Sequence, residues 1–183
     1  MGSYYYLLSQ LPFLTFGQKA PISSQHFKEL ALPLLDETDA AILAAMGNNL
    51  EPCGSVFIDT WLEWEKTLRL NLAKQRFIKL KRDGSFPAEP PAFPSDAASL
   101  AAKAMQENPL SAEVLIDKAR WAVIEALQGY DYFNSNSVFA YLLKLMILER
   151  QSLFQDETGL SEYKSIHASI LEQSAALAAG EFK

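Results

Sequence analysis

The stretch 137-SVFAYLLKLMILERQSLF-154 decides how the rest of the chain is read. The eleven residues Val138 to Leu148 carry a single charge, Lys144, before Glu149 and Arg150 arrive together. A helix this apolar around its circumference crosses a membrane, holds a cofactor, fills a core or grips a partner. A spanning helix needs about 20 mostly apolar residues, and this run is too short and already interrupted by Lys144. The stretch is therefore expected to be a central packed helix, with Glu149 and Arg150 as its polar end. An arginine after so apolar a run needs a partner, and Glu113 or Asp117 is the expected one.

Working outward, nearly every periodic segment has helical spacing, and none sustains the alternation of a strand. Helices are expected over about 24–32, from Asp36 or Thr38 to Gly47, from Gly54-Ser55 through Arg82, and over 95–108, 111–128, 136–154 and 160–179. In "KRDGSFPAEPPAFPSD", four prolines fall between Pro87 and Pro94, which marks an extended connection. The expectation is an all-α fold, a bundle of about seven helices. Its organisation is an N-terminal half, 1–86, a Pro-rich linker, 87–94, and a C-terminal half, 95–183, with packing as one domain left open. Sliding one half over the other by 84 residues places Trp61 on Leu145, Glu65 on Glu149 and Lys66 on Arg150, so the halves are candidate relatives.

Composition narrows the function classes. Sixteen Lys and Arg stand against 22 Asp and Glu, a net charge of −6. That excludes general nucleic-acid binding, which wants a basic surface to displace counterions. Cys53 is the single cysteine, so neither an internal disulfide nor a cysteine zinc cage can form. The N-terminus lacks the basic start and cleavage site of a signal peptide, and the expected location is cytoplasmic.

Chemistry-bearing patterns are sparse. His26 and Glu29 form one His-x-x-Glu, far short of a di-iron ligand set, and His167 sits between Ile166 and Ile170 like the edge of an amphipathic helix. Glu113 and Asp117 share a helix face, with Arg120 following. They are read as structural, Glu113 in the positive first turn of its helix and Asp117 paired with Arg120 or with a base on a neighbouring helix. No catalytic residue, cofactor or metal is expected. A helical metal-binding enzyme built on Glu113, Asp117 and His26 is the less favoured alternative. Tyr130, Tyr132 and Phe133 crowd "GYDYFN" and are the candidate interface.

Three stretches, "YYYLLSQLPFL", "NPLSAEVLIDKARW" and "FAYLLKLMILERQSL", carry a resemblance. The first resembles the opening of a bacterial family of unassigned function whose genes accompany those of V/A-type ATP synthases. The other two resemble a pattern in the central-stalk protein that seats the stalk of those rotary ATPases on the membrane rotor ring. Glu113, Asp117, Glu149 and Arg150 fall on that pattern, while Ser111-Ala112 and Ile116 depart from it. The resemblance implies an all-helical, non-catalytic component. Its partners would be the central stalk and rotor ring, and it would lie at most peripherally on the inner face of the plasma membrane. The alternative is a free-standing helical adaptor.

Overall fold

A computed structural model describes residues 4–47, 51–80, 86, 91, 95–154, 166, 167, 169 and 170. Among them are seven α-helices and no strand: α1 (Tyr5–Gln10), α2 (Ser24–Ala31), α3 (Glu37–Ala45), α4 (Val56–Lys79), α5 (Ser95–Ala104), α6 (Pro109–Gln128) and α7 (Ser135–Ser152). The chain is an all-helical bundle. It divides into two compact units, Met1–Glu149 and Arg150–Lys183. Much of the linker, and most of the helix expected over 160–179, lie outside the described residues.

Helix boundaries follow from capping. Ser23 accepts from the His26 amide, Asp36 from that of Asp39, and Asn108 from that of Ser111, each at the start of a helix. Ser55 makes no such bond at the start of α4; the Asp59 carboxylate reaches back to the Cys53 and Gly54 amides instead. At Pro33 the chain leaves α2 by tightening into a 3-10 turn, Leu32–Leu34. Asn108 with Pro109 starts α6 earlier than the expected Ser111. This moves Glu113 out of the first turn, so the helix N-terminus is not what stabilises it.

Hydrogen bonds trace how the helices run in the first unit. Trp64 of α4 bonds Asp96 at the start of α5, and Lys79 bonds the Met105 carbonyl just past its end, so α4 and α5 run parallel. Arg120 of α6 meets Glu65, while Ile116 and Pro109 border Leu72 and Lys79 further along α4, so α6 returns antiparallel. Lys144 of α7 reaches Glu125 of α6. One continuous core joins these helices to α1, α2 and α3, with Phe27, Leu43, Ile58, Leu68, Ile124 and Leu142 wholly enclosed. Each such side chain contributes about 1.5–3 kcal/mol by leaving water.

The opening stretch is the most enclosed. Ser137, Val138, Phe139 and Ala140 are buried in succession, followed by Leu142, Leu143, Leu145, Ile147 and Leu148. Four consecutive buried positions cover a full helical turn, so α7 has neighbours all round at that level. No helix among the described residues is long and apolar enough to cross a membrane.

Candidate functional site: a buried ion cluster and an aromatic corner

Two features stand out against this core. The first is built where α6 crosses α4. Arg120 donates from Nη2 to Glu65 Oε1 at 2.7 Å and from Nε to Oε2 at 3.0 Å, a two-pronged grip. Its Nη1 donates to Asp117 Oδ1 at 3.1 Å. Arg69, one turn along α4, adds a bond from Nε to Glu65 Oε1 at 2.9 Å. Asp117 is 1% exposed and Glu65 8%. Burial alone would push the Glu65 carboxyl up, but the hydrogen bonds and charge of Arg120, then of Arg69, hold it below its ordinary range. Burial likewise opposes the Arg120 charge, and Glu65 and Asp117 overcome it and raise its pKa. Two carboxylates and two guanidiniums balance, and no buried side-chain nitrogen or oxygen among the described residues lacks a partner.

Asp117 is thus placed with Arg120, and Glu65 was not foreseen as its neighbour. The one hint in the sequence was the alignment of Glu65 on Glu149. Glu149 itself accepts from the Ser24 amide at 2.7 Å, capping the first turn of α2. Arg150 begins the second unit, where its guanidinium lies 5.9 Å from the Phe154 ring centroid. Glu113 borders a shallow cleft with Arg76 and Lys79. His26 and Glu29 approach to 3.9 Å on an exposed face, and no group of three or more His, Cys, Asp or Glu suited to a metal forms among the described residues.

The second feature is the corner where the N-terminal segment crosses the α6–α7 turn. Gly129, at φ +72°, ends α6 in a conformation that L side chains avoid and releases the chain into Tyr130–Asn134. Tyr130 is 96% exposed, Tyr132 62% and Phe133 38%. Beside them Phe13 is 91% exposed, and the Tyr5 ring packs at a tilt against Phe133 with centroids 4.7 Å apart. Between the segment and the turn runs a groove of about 540 Å³ that includes Leu8, Leu11, Phe13, Tyr132, Phe133 and Tyr141 in its walls.

The groove's frame is firmly tied. Tyr4 donates its amide to the Phe133 carbonyl at 2.7 Å and its hydroxyl to Asp39 Oδ2 at 2.6 Å, and Ser135 donates to the same oxygen. Tyr141 donates to the Pro12 carbonyl at 2.9 Å, and Phe16 meets Trp121 edge-on. Lys144 lies over Trp121 at 5.2 Å while bonding Glu125, so the one charge in the apolar run is held at the groove. Burial raises the Tyr141 hydroxyl to about 12. For Tyr4, burial and then the Asp39 carboxylate push it higher still.

Comparison with known proteins adds a partial family match but no activity. Residues 98–174, less than half of the chain, match the model of a family described as a protein of unknown function (DUF2764). No curated protein and no solved structure matches the chain.

Proposed function

We propose that the protein is a non-catalytic helical component or accessory of a V/A-type ATPase, resembling the central-stalk protein that seats the stalk on the rotor ring, and that it works by binding the other proteins of that assembly. The aromatic corner carries this reading. Tyr132 and Phe13 line a ready-made groove and, like Tyr130 in the adjoining turn, are large and open to solvent, which suits a hot spot better than a fold's own needs. The buried charges fit the same reading: Glu65, Asp117 and Arg120 bond one another in the interior, as a stiff body needs and a reacting site does not. The link to the ATPase rests on the three stretches that resemble the ATPase-associated family and the central-stalk protein. Such a component transmits force or holds its neighbours together through contact area and rigidity. Quantitative mass spectrometry of the V/A-type ATPase purified from its native host tests it. The chain is expected at a fixed ratio to the other components. Its absence from the purified complex sinks the reading and leaves the free-standing adaptor.

A further inference from the structure

Charge is distributed unevenly over the sequence, and the fold concentrates the imbalance. Residues 1–18, 29–65 and 121–143 contain no Lys or Arg. Parts of all three meet at the aromatic corner: the N-terminal segment, the start of α3, and the α6–α7 turn with its flanking helix ends. The same places supply carboxylates. Glu125 lines the groove with its side chain 55% exposed, and Asp131 stands exposed between Tyr130 and Tyr132. Behind Phe133, through Tyr4, lie Asp39 and its exposed neighbours Asp36 and Glu37. Lys144 is the one base among the groove's lining residues, and Glu125 and Trp121 hold it.

From this arrangement we infer that the groove receives a basic amphipathic helix of a partner protein. Apolar side chains at i, i+3 or i+4, and i+7 enter among Leu8, Phe13, Tyr132 and Tyr141, and Lys or Arg on the helix flanks meet Glu125 in the groove wall and the exposed Asp131 in the turn next to Tyr132. The described residues offer no strand edge for an extended peptide to join. A second copy is disfavoured by charge, because a symmetric contact would bring this acidic corner against itself. The inference rests on the reading of the protein as a binder, and it adds the chemistry of what is bound.

The test uses a fluorescent synthetic helix with leucine at i, i+3, i+4 and i+7 and lysine on its flanks, titrated into the full chain and followed by anisotropy. Comparison peptides carry glutamate for lysine, a scrambled order, or a proline-rich sequence. The lysine helix is expected to bind at least tenfold tighter than any of them. Phe13→Ala and Tyr132→Ala are each expected to weaken it at least tenfold with unchanged circular dichroism, and Ile78→Ala, an exposed apolar residue of α4, is expected to have no effect. Glu125→Lys with Asp131→Lys is expected to transfer the preference to the glutamate peptide. Scrambled and ordered lysine peptides binding alike, or Phe13→Ala and Tyr132→Ala binding like the native chain, would overturn the inference. So would tighter binding of the proline-rich peptide, or a dimer that Phe13→Ala dissociates. No ATPase enters this assay. A chain found in the ATPase that ignores the lysine helix removes only the groove assignment. A chain absent from the ATPase that binds it removes only the complex.

Discussion

Arg120 grips Glu65 through two hydrogen bonds, 2.7 and 3.0 Å long, joining residues 55 positions apart in the sequence. It also bonds the buried Asp117, so this guanidinium bridges two enclosed carboxylates, one of which Arg69 also holds. Arg120→Met is expected to cost about 3–5 kcal/mol, the scale of stranding buried charge. Glu65→Leu combined with Arg120→Met and Asp117→Leu should recover most of that loss, since apolar replacement of a whole buried cluster is often neutral. Urea unfolding of the set measures both. A triple variant no more stable than Arg120→Met alone would contradict the assignment.

The same cluster sets an acid limit. The folded Glu65 carboxyl titrates below its ordinary value of 4.5, so its contribution is complete above that value and is lost as pH falls through the folded pKa. Stability of the native chain should fall as pH drops below about 4.5, and Glu65→Gln should flatten part of that slope. Equal slopes in the two proteins would remove Glu65 from the account.

Tyr4 sets a limit at the other end. Its folded pKa is raised, so its contribution is full below the ordinary tyrosine value of 10.0 and fades as pH climbs towards the folded one. Tyr4→Phe deletes the bond to Asp39, which retains Ser135, and is expected to cost about 1 kcal/mol at neutral pH. The variant should also lose part of the native chain's alkaline sensitivity, read from thermal melts between pH 8 and 11.

Glu149 supplies a cap from a distant helix. Glu149→Ala is expected to destabilise by about 1 kcal/mol, the usual scale for losing an N-terminal acceptor. Hydrogen exchange should locate the loosening in the first turn of α2, around Ser24. Exchange unchanged there would exclude the capping role.

The readable and unreadable parts of this protein divide along physical lines. The role of α7 was legible because Val138 to Leu148 contains a single charge, Lys144, and no register changes that count. Helix ends were legible wherever a side chain makes the cap, as at Asp36. The start of α6 falls before the expected Ser111 because Asn108 and Pro109 together form a cap and a first turn, which apolar periodicity does not register. The Glu65–Arg120 contact was hidden for another reason. Glu65 lies on a helix with charged neighbours Glu63 and Lys66, and only the crossing of α4 and α6 selects which acid turns inward. The aromatic loop was visible as composition, but its groove needs Leu8 to Leu14, brought from the far end of the chain.

Asp39 accepts hydrogen bonds from Tyr4 and Ser135, side chains separated by most of the sequence. During synthesis the ribosome releases the first of these long before the second. Until Ser135 emerges, the Asp39 carboxylate lacks one of its donors, and the Phe133 carbonyl that receives the Tyr4 amide does not yet exist. The nascent N-terminal segment, with Tyr4, Leu7, Leu11 and Leu14, therefore lacks the turn it is tied to and much of its cover until nearly three quarters of the chain has been made. Closure waits on the late arrival of α7, and in that interval the unfinished chain is most open to a chaperone or to its own neighbours.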